Sequence, residues 1–114
     1  MGEDFTVEVK FDRMAEKTGN MCFEVTNGKG DMTGIAKTQA DNVAYLVPGK
    51  EEKVSLFLFK AEALKKYLFD PLNSKKIKHV KGGDRRAYGL MLVKISTLIS
   101  DGVPYSVEEI SAEL

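Results

Sequence analysis

Four residues near the start of the chain have the types that acid, base and metal chemistry need: Glu8, Lys10, Asp12 and, further on, Glu24. They sit in two segments, TVEVKFD (residues 6 to 12) and NMCFEVT (residues 20 to 26), in which polar and apolar residues alternate. On a strand, side chains at i and i+2 point the same way about 6.6 Å apart. Thr6, Glu8, Lys10 and Asp12 therefore share one face, and Val7, Val9 and Phe11 the other. Carboxylates gathered on one patch repel each other unless a cation lies among them. Mg²⁺ (or Mn²⁺) takes carboxylate, carbonyl and water oxygens, activates water and neutralises phosphoryl charge. A lysine two residues after an acid can orient or deprotonate that water, or stabilise a pentavalent phosphate. The plainer reading of E-x-K is a half-exposed strand whose polar face meets water.

Several elements must position these residues. Residues 4 to 12 read as a strand, 13 to 19 as a connection ending in Gly19, and 20 to 26 as a second strand. The two strands are expected to pair antiparallel, which would bring Glu24 beside Glu8 or Lys10. NGKGDMTG (27 to 34) is turn chemistry, followed by a short helical turn within TGIAKTQAD. NVAYLVP (42 to 48) and VSLFLF (54 to 59) read as buried strands around PGKEEK. KAEALKKYLF (60 to 69) is a helix by the spacing of Ala61, Leu64, Tyr67 and Leu68, and Pro71 stops it. Residues 75 to 81 and 87 to 95 read as strands around the turn GGDRR, with ISTLIS a short helical segment. The end of the chain, YSVEEISAEL, reads as an acidic helix capped by Ser106, with Glu109 in the capping-box position. The expected fold is α/β: a single small domain spanning residues 1 to 114, with a central mixed sheet of about five to six strands flanked by helices.

The bulk numbers narrow the function. At 114 residues, 43% hydrophobic and 30% charged, the chain has the length of one domain and the composition of a folded globular protein. The longest apolar run, Val54 to Phe59, is far short of a transmembrane helix, and MGEDFTVEVK lacks the layout of a signal peptide, so a cytoplasmic protein with no membrane role is expected. One Cys (Cys22) and one His (His79) exclude an internal disulfide and the usual Cys/His metal sites, leaving oxygen donors for any metal. The net charge is zero, yet Lys60 to Lys94 holds ten basic residues against three acidic ones, a local +7 balanced by −7 elsewhere. A basic half beside an acidic half suits a protein that grips phosphates around an acidic metal site; a solvated lysine surface is the simpler alternative.

A longer stretch is more specific. EVKFDRMAEKTGNMCFEV resembles the start of a group of small phage-type or environmental proteins in the PD-(D/E)XK, restriction-endonuclease-like superfamily, in which E-V-K-x-D precedes T-G-N and a strand carrying a Glu. The matching positions are Glu8, Val9, Lys10, Asp12, Thr18, Gly19, Asn20 and Glu24, continued by Thr33, Gly34, Ile35, Thr38, Ala40 and Asp41 and by Gly82, Gly83 and Asp84. The resemblance implies a mixed α/β core and Mg²⁺-dependent hydrolysis of DNA phosphodiesters, often in recombination or repair. It implies that Glu8, Lys10 and Glu24 are catalytic, and that Glu8, the Val9 carbonyl and either Glu24 or Asp12 hold the metal. In that superfamily another metal-binding Asp lies ten or more residues upstream, whereas only seven residues precede Glu8 here. The expectation is therefore a core with a truncated N-terminus. Its upstream part is missing, or Asp4, Asp12 or Glu24 takes the place of that Asp (Asp4 being about 13 Å from Glu8 along an extended strand, Asp12 and Glu24 the better local candidates), or the protein binds without cleaving.

Candidate DNA-backbone contacts are Asn20 in T-G-N, Lys37 beside Thr38, Lys76 and Lys78 in the basic half, and Arg85 and Arg86 after Gly82-Gly83. Each also has a structural reading, as turn, cap or exposed charge. The competing functions are a non-catalytic nucleic-acid-binding or protein-interaction module, and a homodimeric scaffold that associates through strand edges or the C-terminal helix.

Overall fold

A computed structural model describes residues 5 to 82 and 88 to 111. Among the described residues seven strands form two sheets. The first sheet contains β1 (Val7–Phe11), β3 (Asn42–Pro48), β4 (Lys53–Lys60) and β7 (Tyr105–Ser111), in the order β1-β3-β4-β7. Its β1 and β3 are parallel and its other pairs antiparallel, so the sheet is mixed. The second is antiparallel, in the order β2-β6-β5, with β2 (Asn20–Thr26), β5 (Ile77–Gly82) and β6 (Tyr88–Lys94). The helices are short: α1 (Ala15–Thr18), α2 (Ala61–Phe69) and α3 (Ile95–Ser100), with 3₁₀ turns at Gly34–Ala36 and Pro71–Lys76. The chain is thus a small α/β domain whose strands divide into two sheets instead of one central sheet.

The core lies between the sheets. Met21 and Phe23 of β2, Met91 and Val93 of β6 and Ile77 of β5 face Val43, Tyr45 and Val47 of β3 and Phe59 of β4. Ala61, Leu64 and Leu68, one stripe of α2, and Leu98 of α3 close its ends. Helix α2 stops before Pro71, and Asp70 Oδ1 accepts from Leu72 N–H (2.9 Å) to start the next turn. No helix among the described residues is long and apolar enough to cross a membrane.

Two further sequence expectations are corrected. The segments 4 to 12 and 20 to 26 do not pair with each other: β1 runs parallel to β3, with Glu8 opposite Val43 and Lys10 opposite Tyr45, and β2 belongs to the other sheet. The short connection fits a hairpin, but α1 and the left-handed Gly19 (φ 72°) carry the chain from one sheet to the other instead. The second correction is at the end of the chain, where Tyr105–Ser111 is a strand and not a capped helix. Tertiary pairing overrides local propensity there: Tyr105 and Val107 lie opposite Phe59 and Phe57, and Glu109 pairs with Lys53 at 3.3 Å.

Strand β1 is also inside out. Its apolar residues Val7, Val9 and Phe11 are exposed, while Glu8, Lys10 and Asp12 are half-buried on the side that faces the core.

Candidate functional site

The inward turn of β1 places its polar residues over the seam between the sheets, where β1 and β3 face the free edge of β2. At this seam side chains take the place of a backbone ladder. Lys10 Nζ donates to the Cys22 carbonyl (2.6 Å) and lies 5.9 Å from the centre of the Tyr45 ring. The fully buried Tyr45 accepts from Cys22 N–H at its hydroxyl oxygen (2.7 Å) and donates its own proton to Asp12 Oδ2. Asp12 Oδ1 accepts from Met14 N–H (2.9 Å) at the start of α1. Both backbone groups of Cys22 on the edge of β2 are thereby satisfied. Burial, and then the hydrogen bond to Asp12, push the Tyr45 hydroxyl far above the usual phenol range, so it stays a donor. Burial also raises the Cys22 thiol, against the pull of the Lys10 ammonium.

Beside this seam opens a cleft of 390 Å³ lined by Glu8, Val9, Lys10, Phe23, Glu24 and Gly34, among others. Glu24 arrives from β2 and is steadied by Thr33, whose Oγ1 donates to Glu24 Oε2 at 2.7 Å. Gly34 makes this approach possible: at φ 53°, a Cβ there would overlap the Glu24 carbonyl oxygen. The Glu8 carboxylate takes part in no hydrogen bond or ion pair among the described residues. Two carboxylates and an ammonium thus converge on one cleft from different sheets. No known protein family, curated protein or solved structure matches the chain.

Of the residues singled out from sequence, Glu8, Val9, Lys10 and Glu24 line the cleft together. Asp12 stands at the seam, with both carboxylate oxygens engaged. Among the described residues no group of three or more His, Cys, Asp or Glu side chains is arranged to hold a metal ion. Asn20, Lys76 and Lys78 line a second cleft of 390 Å³ with Lys75 and Lys94, and Lys76 also pairs with Asp101 at 2.8 Å. Alternation along β2 puts Asn20, Cys22 and Glu24 on one face, so the basic cleft and the acidic one adjoin opposite ends of a single strand, about 13 Å apart along it. Lys37 is exposed just after the Gly34–Ala36 turn and lines neither cleft. Arg85 and Arg86, like Asp4, Gly83 and Asp84, lie outside the described residues.

A depression of 420 Å³ over Phe5, Asp41, Lys60, Glu62 and Lys66 mixes charges of both signs. Its Asp41 is already bound to Thr6, through the backbone N–H (3.0 Å) and Oγ1 (3.2 Å). Sequence inspection misses Tyr45 and Thr33 as parts of the site. A signal existed for Tyr45: a hydroxyl inside the apolar run NVAYLVP must find a partner once buried.

Proposed function

We propose that this chain is a divalent-cation-dependent nuclease with a restriction-endonuclease-like core, acting on the phosphodiester backbone of DNA. One observation carries the reading: Glu8 and Glu24 are held in the same half-buried cleft as Lys10, although an ordinary strand would turn Val7, Val9 and Phe11 inward. Burying a Val or Phe side chain completely is worth roughly 1.5 to 3 kcal/mol, so leaving three of them half-exposed forgoes about 3 kcal/mol. Lys10 and Asp12 recover part of this by joining the sheets, but Glu8 has no such structural task among the described residues.

The donor set suits Mg²⁺ or Mn²⁺. These ions are held by one or two carboxylates and complete their shell with water and substrate phosphate, so Glu8 and Glu24, with the Val9 carbonyl beside them, are sufficient protein ligands. When bound, such an ion lowers the pKa of water and neutralises charge on the phosphoryl oxygens. Lys10 keeps two N–H groups beyond the one given to Cys22, and these serve the attacking water or a phosphate oxygen. Thr33 fixes the Glu24 carboxylate. Asn20, Lys78 and Lys94 hold the DNA backbone along the adjoining face, with little base specificity.

A second reading has its own support. Lys10 and Asp12 both have hydrogen-bond duties inside the fold, as they would in a module on this scaffold that binds nucleic acid without cleaving it. Incubation with plasmid, flap and four-way-junction DNA and Mg²⁺ or Mn²⁺ separates the two. The nuclease reading expects metal-dependent cleavage that falls at least about 100-fold in Glu8→Gln with the fold intact by circular dichroism. Absence of cleavage by the parent, or equal cleavage by Glu8→Gln, rejects it. Binding that weakens steeply with salt and never leads to cleavage selects the module.

A further inference from the structure

The outer face of the four-stranded sheet is apolar. Strand alternation and register place Val7, Val9 and Phe11 of β1, Ala44 and Leu46 of β3, Val54, Leu56 and Leu58 of β4 and Ile110 of β7 on the side away from the other sheet. The buried residues of the helices α1, α2 and α3 belong to the core on the opposite side, so no described helix packs here. Ala44 and Val54 are buried yet stand outside the core cluster, as parts of a separate apolar layer. Five side chains of that layer are open to solvent: Val7 48%, Val9 62%, Phe11 49%, Leu58 37% and Ile110 41%.

We propose that this face stacks on the same face of a second copy, forming a two-fold symmetric dimer. At roughly 150 to 200 Å² for each fully exposed Val, Leu, Ile or Phe, the five exposures add up to roughly 360 to 470 Å² of apolar surface per copy. With a polar rim this approaches the ~800 Å² per partner that stable complexes bury. The rim carries charges of both signs, Lys60 and Glu108, and the interior carries none. A patch that is apolar within and balanced at its border suits its own copy better than a strongly charged partner. Pleated sheets stack face to face about 10 Å apart, and an isologous contact needs only that the face complement itself. The dimer would also remove from water the three β1 side chains that the inverted strand leaves outside. By strand alternation the Glu8 and Lys10 side chains lie on the opposite side of β1 from this face.

Sedimentation velocity on the full chain at about 50 µM tests the proposal. The expected mass is twice 12.6 kDa. Leu58→Lys is the decisive variant, because β4 is an inner strand: a lysine there disrupts stacking of faces and leaves pairing of sheet edges untouched. It should weaken association roughly 30-fold or more, as should Val9→Lys, which alters the most exposed of these side chains and keeps the test open if the first variant unfolds. A monomeric parent overturns the proposal. So does a dimer that survives Leu58→Lys in a folded protein, which would assign the contact to strand edges.

Discussion

Replacing Tyr45 by Phe removes one oxygen from the seam between the sheets and leaves the ring in place. The ring keeps its edge-on contact with Phe23, at a centroid distance of 5.4 Å, and stays beneath the Lys10 ammonium. Two hydrogen bonds disappear: the one donated to Asp12 and the one accepted from Cys22 N–H. A hydrogen bond to a charged group contributes about 1.5 to 3 kcal/mol, and an amide left unpaired in a buried place costs about 1 to 3 kcal/mol. Allowing Asp12 to recruit water, we expect Tyr45→Phe to destabilise the fold by about 2 to 4 kcal/mol, a large share of the 5 to 15 kcal/mol typical of a domain. At about 2.1 cal/mol/K per residue, the 114-residue chain would lose roughly 8 to 17 °C in Tm. Urea unfolding is the assay, with an unchanged slope showing that the same surface is exposed. Asp12→Ala together with Tyr45→Phe should fall short of the sum of the single losses by about 1 to 2 kcal/mol. A loss below about 0.5 kcal/mol for Tyr45→Phe would refute the view that this hydroxyl holds the seam.

Thr33→Val keeps the shape of the side chain and removes its bond to Glu24; divalent-ion affinity, read by Mn²⁺ titration, should fall about 10-fold or more with little change in urea midpoint. In the turn between β3 and β4, Glu51 and Glu52 are left-handed at φ 59° and 60°, and Glu52→Gly should raise stability by about 0.5 to 1 kcal/mol in the same urea assay. Lys76 and Tyr67 both donate to Asp101, at 2.8 and 2.5 Å, and hold its carboxyl below the usual range, the ammonium more strongly. That contribution is present above the unfolded carboxylate pKa and is lost as pH falls through the depressed folded value. Tyr67 is pushed up to about 12, chiefly by desolvation and then by Asp101, so its contribution is complete below about pH 10 and lost as pH rises through about 12. Urea midpoints should therefore decline less on acidification in Asp101→Asn than in the parent, and an identical decline would refute this clip.

Much of the architecture was legible from residue pattern. Alternation in Met21-Cys22-Phe23, the β-branched and aromatic runs of β3 and β4, and the stripe Ala61, Leu64, Leu68 ended by Pro71 locate their elements because burial and period coincide there. Alternation marks which residues share a face and is silent on which face turns inward. For β1 the polar face is inside, since Lys10 and Asp12 find partners on an edge strand of another sheet. The partner of a strand is a long-range choice as well. A seven-residue connection suggested a hairpin, whereas the parallel β1 and β3 are joined only after the chain has crossed to the second sheet and back. The tail misled for a related reason: YSVEEIS satisfies a helix-capping pattern locally, while Phe57 and Phe59 on β4 supply cross-strand partners for its Val107 and Tyr105. The acids of the cleft were found by residue type and spacing, although they meet across two sheets and not along one.

Under the proposed function Glu8 and Glu24 form one divalent-cation site. Titration of the protein with Mn²⁺, followed by electron paramagnetic resonance of the free ion, measures this without any nucleic-acid substrate. We predict one bound ion per chain, released about 10-fold or more readily by Glu8→Gln and by Glu24→Gln separately, and unaffected by Glu62→Gln on the exposed side of α2. No saturable binding, or equal binding in all three variants, would contradict it.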